Sequence, residues 1–244
     1  MKKGAIVTGG AKRLGKIFAI SLAKEGYDLV LHYNSSEDEA LKTKKEIETY
    51  GVLCHLLKRD LLKSSDDLVK ESKSLLPNLE ILINNGSVFP KENLLEVQEK
   101  NFLDVIKLNS FAPLNLSIQW KKEINKGLII NIIDARHQNM DFTHFSYGLS
   151  KKLLYEITKH LSLFFAPDIR VNAIAPGVFL PPEGKDENYL LKILQLVPLK
   201  RKGTEEEIHK TLKFLIENEY LTGEVIYLDG GRHLLKGIYG KDLH

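Results

Sequence analysis

Short runs that are apolar at almost every position recur along this chain, at Ala5–Val7, Leu29–Tyr33, Val52–Leu57, Leu79–Ile83, Leu128–Ile133, Val171–Ala175 and Val225–Leu228. A strand with one wet face alternates polar and apolar side chains, so a run that is apolar throughout indicates a strand covered on both sides, as in a parallel sheet flanked by helices. Between the runs lie segments with helical apolar spacing and charged outer faces: Lys16–Lys24, Glu37–Tyr50, Ser65–Leu75, Val97–Glu123, Ser146–Phe165 and Thr204–Glu217. Such β-α repetition, joined by right-handed crossovers, predicts an α/β fold with a doubly wound parallel sheet of about seven strands and helices on both faces. The 244 residues suit one domain spanning 1–244. Ligands of such sheets bind beyond the carboxyl ends of the strands, so functional residues are expected just after each apolar run. The stretch Pro181–Glu187 is the expected mobile loop.

Composition excludes several classes of function. The 35 basic and 32 acidic residues nearly balance, and the basic residues form no arm, so nucleic acid is not an expected partner. The single cysteine, Cys54, rules out an internal disulfide or a paired-thiol metal site and reads as a buried strand residue. Met1-Lys2-Lys3 runs directly into Gly4-Ala5-Ile6-Val7-Thr8, too short for a signal core or a membrane span, and the expectation is a cytoplasmic protein that does not enter membranes. The eight histidines lack metal-ligand spacing; His137 and His144 read as loop or pocket-wall residues, and no metal is expected. Lys200-Arg201-Lys202 reads as solvated charge.

The first strand leads into Thr8-Gly9-Gly10-Ala11-Lys12-Arg13-Leu14-Gly15 and then into a helix. Glycines there let backbone approach a pyrophosphate, whose charge the helix N-terminus stabilises, a Rossmann-type dinucleotide arrangement. The end of the second strand, His32-Tyr33-Asn34-Ser35-Ser36, lacks the acid that would bind a ribose 2′-hydroxyl, while Lys12 and Arg13 supply positive charge for a 2′-phosphate. These features favour NADP(H). The alternative is that Lys12 and Arg13 are solvated and Ser35-Ser36 caps the next helix.

The strand Leu128–Ile133 is followed by Asp134, and thirteen residues later by Tyr147-Gly148-Leu149-Ser150-Lys151. Tyr147 and Lys151 share a helix face, and an ammonium there is expected to lower the phenol pKa, making Tyr147 a proton donor to a carbonyl or imine that receives hydride.

With these pieces in place, the chain resembles the short-chain dehydrogenase/reductase family over nearly its full length. The resemblance rests on Thr8–Gly15, Asp60, Asn84-Asn85-Gly86, Asn109, Tyr147 with Lys151, Pro176-Gly177 and Asp229-Gly230-Gly231, in that order. It implies that Asp60, with Leu61 beside it, meets adenine; that Asn85, Gly86, Ser87, Pro176, Gly177 and Val178 line the cofactor; that Lys151 also holds the nicotinamide ribose; and that Asn109 supports a proton-relay water. It also implies a homotetramer packed through Val97–Glu123 and Ser146–Phe165. Taken singly, Asp60 could be a helix cap, Asn85-Gly86 and Pro176-Gly177 turns, and Asn109 an exposed helix position.

Two departures narrow the resemblance. Most members carry glycine where this loop has Arg13 and serine where this chain has Asp134. Together with Asn85-Gly86-Ser87-Val88-Phe89 and Asp229-Gly230-Gly231-Arg232-His233-Leu234, they resemble the pteridine and dihydromonapterin reductases. A carboxyl group can exchange protons with a pteridine's ring nitrogens and amino-oxo edge, and Phe89 offers a stacking surface for a flat bicycle. The expected substrate contacts are Arg13, Ser87, Phe89, Asp134 and Tyr147. The other possibilities are that Phe89 is a core aromatic and Asp134 a solvated acid. Val178-Phe179-Leu180-Pro181-Pro182 lacks the hydroxyl that many members use to hold the carboxamide, leaving that task to backbone groups. The expected activity is NADPH-dependent reduction of a dihydropterin; the alternatives are a carbonyl or 3-oxoacyl thioester reductase, and a cofactor sensor without turnover.

Overall fold

All seven apolar runs become strands. The structure, a computed structural model, describes residues 2–181, 187–235 and 238–239. Its strands are β1 (Gly4–Val7), β2 (Asp28–Tyr33), β3 (Cys54–Lys58), β4 (Leu79–Asn84), β5 (Gly127–Ile132), β6 (Met140–Asp141), β7 (Ile169–Pro176), β8 (Val225–Leu228) and β9 (Ile238–Tyr239). Seven of them form one parallel sheet in the order β3-β2-β1-β4-β5-β7-β8, and β6 pairs with β9. The helices are α1 (Arg13–Lys24), α2 (Glu37–Glu48), α3 (Leu68–Leu75), α4 (Glu99–Ile106), α5 (Ala112–Glu123), α6 (Phe145–Phe164), α7 (Glu187–Leu194) and α8 (Glu205–Glu217).

Residues alternate between the two sheet faces, and both faces are covered. Ala5, Val7, Leu31, Ile83 and Ile130 pack with Phe18 and Leu22 of α1 and Leu212 and Leu215 of α8. Their neighbours Ile6, Val30, Leu82 and Ile129 pack on the other face with Leu116 and Trp120 of α5 and Leu161 of α6. Each such large side chain contributes about 1.5–3 kcal/mol by leaving water, which explains strands that are apolar at every position. Cys54 is buried in β3, and burial pushes its thiol up to about 12, so it is an inert core residue.

The sequence differs from the structure in three places. Val97–Glu123 is two helices joined by a π-helical segment, Lys107–Phe111. Pro113, at the start of α5, has no N–H to give the Asn109 carbonyl four residues back, and its ring crowds that carbonyl, so the helix widens there. Helix α7 and the β6–β9 pair were not expected. The expected mobile stretch Pro181–Glu187 lies mostly outside the described residues, at 182–186. No described helix is long and apolar enough to cross a membrane.

Candidate active site

The strand order reverses between β1 and β4, and the crevice at their carboxyl ends is built around Thr8. Its hydroxyl accepts the amides of Asn85 and Gly86, each at 2.9 Å, and donates to the Ile83 carbonyl at 3.3 Å. The Asn85 amide group returns hydrogen bonds to the carbonyls of Thr8 (3.0 Å) and Gly9 (3.1 Å). Gly9 has φ +60, and a Cβ on Gly15 would stand 2.0 Å from the Gly9 carbonyl, so the first turn of α1 closes against the loop only with glycine at both positions. This tight cradle fits a pyrophosphate at the α1 N-terminus. Leu14 packs on the core beneath it, and Leu61 lies under Gly86.

A buried histidine holds this loop from below. His32 Nδ1 accepts the Gly9 amide at 3.2 Å, and its Nε2 donates to the Arg59 carbonyl at 2.9 Å. Burial is the main cause that lowers its pKa to about 4, so the ring is neutral with its proton on Nε2. Sequence reasoning counted His32 only as a strand-end residue lacking a carboxylate.

At the end of β2, Tyr33 is buried in a small cluster with Ala11 and Ala40. Asn34 and Ser35 are exposed, and Ser36 starts α2 without making a side-chain cap. Glu37, in the first turn of α2, is paired with Lys58 at 2.7 Å. Asp60 follows β3, and its Oδ1 accepts the Leu62 amide at 3.0 Å, a turn-forming bond. Arg13 is exposed in the left-handed conformation, φ +55, that glycine adopts most readily; it donates to the Pro181 carbonyl at 2.8 Å. That bond ties the glycine loop to the segment after β7; the strand ends at the buried Pro176, and beyond it Gly177 packs on Asp229 and the Val178 carbonyl accepts the Gly203 amide.

The chemical centre lies beyond β5. Tyr147 donates its hydroxyl hydrogen to Asp134 Oδ2 at 3.0 Å. Asp134 Oδ1 accepts the Arg136 amide at 2.6 Å, with the Arg136 guanidinium at 3.6 Å. The Asp134 side chain is 18% exposed, so it is not a solvated acid. Lys151 is buried and donates to the Ile132 carbonyl at 2.8 Å; burial lowers it to about 8 against the opposing charge of Asp134. The expected lowering of the Tyr147 phenol is overturned. Burial first, then the charge and hydrogen bond of Asp134, push it well above the ordinary phenol range, while Lys151 spends its hydrogen bond on Ile132 and lies 5.7 Å from the ring centre. The phenol is held protonated, the state a proton donor needs. The guanidinium paired with Asp134 is that of Arg136.

Asn109 is fully buried, not an exposed helix position. Its side chain accepts the Val88 amide and donates to the Val88 carbonyl, both at 2.9 Å, and also donates to Ser150 at 3.0 Å. The side chain therefore pins the loop after β4 to α6. Its backbone carbonyl is the one that Pro113 cannot serve.

Beside Tyr147, two loops are fastened together. Phe89 is 44% exposed, which excludes a core role; its ring stacks on His144 at 4.0 Å and meets Tyr147 edge-on at 4.5 Å. Ser87 is exposed in the same loop. Glu92 bridges in parallel to His144, and its carboxylate accepts the Ser146 hydroxyl and the Ser146 amide, capping α6 from outside the helix. Burial raises Asp141, but hydrogen bonds from His144 and Thr143, with Arg136 nearby, outweigh it and hold the carboxyl well below its usual range. His137 is buried behind Asp134, donating to its carbonyl at 2.9 Å and stacking on Tyr155. The Lys200-Arg201-Lys202 cluster is engaged locally: Arg201 pairs with Glu207 at 2.6 Å.

Sequence reasoning missed Arg136, Asp141, Glu92 and the supporting role of His32. Each acts through a partner distant in sequence or on an irregular loop; the only local signal was the crowding of charged and aromatic residues in 134–147.

Comparison with known proteins agrees with this geometry. Residues 9–233 match the enoyl-(acyl carrier protein) reductase family. A 3-oxoacyl-[acyl-carrier-protein] reductase FabG of Staphylococcus epidermidis is 28% identical, over 96% of this chain and 100% of its own length. Among solved structures, FolM alternative dihydrofolate reductase 1 from Brucella suis, in complex with NADP, superposes with a TM-score of 0.90 at 33% identity, covering 95% of each chain. The corresponding protein from Brucella canis, also complexed with NADP, gives a TM-score of 0.88 at 33% identity, over 96% of this chain and 94% of that one. With a parallel sheet in this order, a glycine cradle at its switch point and Tyr147 and Lys151 on one helix, the chain belongs to the short-chain dehydrogenase/reductase family of oxidoreductases.

Proposed function

We propose that this protein is an NADPH-dependent pterin reductase that takes a dihydropterin to its tetrahydro form. The observation that carries the reading is the carboxylate of Asp134 at 3.0 Å from the Tyr147 hydroxyl, where most relatives have serine, with the exposed Phe89 ring against the same tyrosine. The FolM structures, 33% identical and complexed with NADP, support it. NADP(H) is the cofactor: the cradle of Gly9 and Gly15 suits its pyrophosphate, Lys12 and Arg13 suit its 2′-phosphate, and Lys151 is assigned the nicotinamide ribose.

Bound NADPH supplies hydride. Tyr147 gives its proton to the ring nitrogen of the C=N bond whose carbon takes the hydride, so substrate gains one hydride and one proton. Asp134 holds the phenol in one orientation and accepts from the pterin's N–H edge, and the partial exposure of its carboxylate provides the route by which solvent returns a proton to Tyr147. Asn109 serves through its backbone carbonyl, which can anchor a relay water toward Lys151. Arg13 contacts the cofactor and the pterin edge after giving up its bond to Pro181.

A second reading, a 3-oxoacyl thioester reductase, is favoured by the FabG relatives. Following NADPH oxidation with dihydrobiopterin, dihydromonapterin, dihydrofolate and a 3-oxoacyl thioester decides between them. The expected result is turnover of a dihydropterin, with NADPH bound at least tenfold more tightly than NADH, a difference of about 1.4 kcal/mol. Turnover of the thioester alone selects the second reading. A sensor without turnover has no use for a phenol held protonated beside a carboxylate.

We also assign a homotetramer built on α4, the π-helical segment and α6, where Leu103, Phe111 and Leu153 are each at least 42% exposed. Sedimentation of the wild-type protein and of Phe111→Glu tests that assembly.

A further inference from the structure

Phe89 and His144 form a two-ring stack whose role the proton chemistry leaves open. A phenylalanine nearly half exposed would ordinarily sample several rotamers, yet this one is held by two rings, the imidazole of His144 at 4.0 Å and 10° between planes and the phenol ring of Tyr147 at 4.5 Å and nearly perpendicular, 81°. The imidazole is fixed in turn. Its Nδ1 donates to Asp141 Oδ2 at 3.2 Å, with the Thr143 hydroxyl at 3.0 Å. The other Asp141 oxygen accepts the Thr143 amide (2.9 Å), the Thr143 hydroxyl (2.7 Å) and the His144 amide (3.1 Å). Arg136 spans from Asp141 at 3.4 Å to Asp134 at 3.6 Å, so the same guanidinium steadies the stack and the carboxylate beside the proton donor.

We propose that His144 is a specificity-determining residue: clamped by Asp141, it backs Phe89 to make a rigid aromatic platform that selects a flat heteroaromatic substrate over a flexible one. The inference rests on the pterin reading and adds to it the residue that makes Phe89 a stacking surface. A hydrocarbon ring at position 144 would fill the same space without being pinned. The imidazole does both, because its ring packs while its nitrogen is tied to a carboxylate. Freezing the platform before substrate arrives removes an ordering cost that would otherwise weaken binding, and the benefit falls on planar ligands alone.

The test uses the full chain saturated with NADP⁺ for calorimetric binding of a dihydropterin, and with NADPH for steady-state turnover. His144→Ala is expected to raise both Kd and KM by about tenfold, with the loss in binding rather than in kcat, and His144→Phe, which keeps a ring but loses the tie to Asp141, to recover only part of the affinity. If His144→Ala is poorly folded, His144→Gln, which keeps a donor to Asp141 but no ring, carries the same expectation. Wild-type affinity in His144→Ala overturns the proposal, as does a fall in kcat at unchanged KM, which would mean that His144 acts through the start of α6 on Tyr147. A wild-type protein that neither binds nor reduces a dihydropterin while reducing a 3-oxoacyl thioester overturns the pterin reading and the platform together; that outcome is seen before any variant is made.

Discussion

The two ends of the active-site crevice are built differently. At the cofactor end, the Thr8 hydroxyl, the Asn85 amide and the His32 ring all bind backbone groups, and two glycines close a turn that admits no Cβ on residue 15. At the substrate end, the parts are charges and rings, Asp134, Arg136, Asp141, His144, Phe89 and Tyr147, contributed by two loops and one helix start. A backbone-lined cradle accepts the constant part of a cofactor and can be shared across a family. A wall of side chains can be exchanged without disturbing the sheet.

The comparison predicts that substitutions at the substrate end change chemistry and selectivity with little effect on cofactor affinity. Tyr147→Phe should lower turnover a hundredfold or more, the scale of losing a general acid, with NADPH affinity nearly unchanged by fluorescence titration. Retained turnover would mean that another group supplies the proton. Lys151→Ala should damage both turnover and cofactor binding.

Asp134→Ser separates the two functional readings more sharply. Dihydropterin turnover should fall about a hundredfold while turnover of simple ketones holds or rises, because serine is the residue most relatives use. Removing the carboxylate also removes the charge and hydrogen bond that hold the Tyr147 phenol protonated, so the alkaline limb of the pH–rate profile should move to lower pH. Equal loss on both substrates would make Asp134 structural.

The same contrast explains what could be read from residues alone. Strand positions, the glycine cradle and the Tyr147/Lys151 pair follow from local periodicity and spacing, so they were legible. The π-helical segment was legible in principle, since Pro113 stands four residues after Asn109, but the apolar spacing of Val97–Glu123 concealed it. Arg136 and Asp141 meet through an irregular loop, and Glu92 reaches Ser146 from a distant segment; no periodic pattern carries such contacts. The direction of the Tyr147 shift was misjudged for a related reason: sharing a helix face with Lys151 did not show that the phenol would point at Asp134 and the ammonium at Ile132.

At the cofactor end, the test is acid stability. His32 has a pKa of about 4 in the folded chain against 6.5 for the ordinary side chain, so the unfolded state takes up a proton first as pH falls. The stability that neutral His32 contributes is complete above pH 6.5 and is lost progressively down to about pH 4. By about pH 5.5 the loss should be on the order of 1 kcal/mol, visible in urea unfolding, and His32→Asn should remove that part of the pH dependence. An unchanged acid profile in the variant would assign the effect to other groups.

The smallest effect is expected at Arg13, which ties the glycine loop to the segment after β7. It adopts φ +55, a conformation costing a non-glycine residue about 1 kcal/mol, and its side chain offsets little of that through an exposed hydrogen bond to Pro181. Arg13→Gly removes the strain, but glycine also frees the unfolded chain, which costs about 0.5–1 kcal/mol. The two contributions nearly cancel, so the melting temperature should stay level or rise by about 2 °C at most. NADPH affinity should meanwhile fall, and the preference over NADH should narrow, because the guanidinium is assigned to the phosphates. A clear drop in melting temperature with unchanged NADPH affinity would instead make the Arg13–Pro181 bond a structural tie across the crevice, and would leave Lys12 as the remaining cation for the 2′-phosphate.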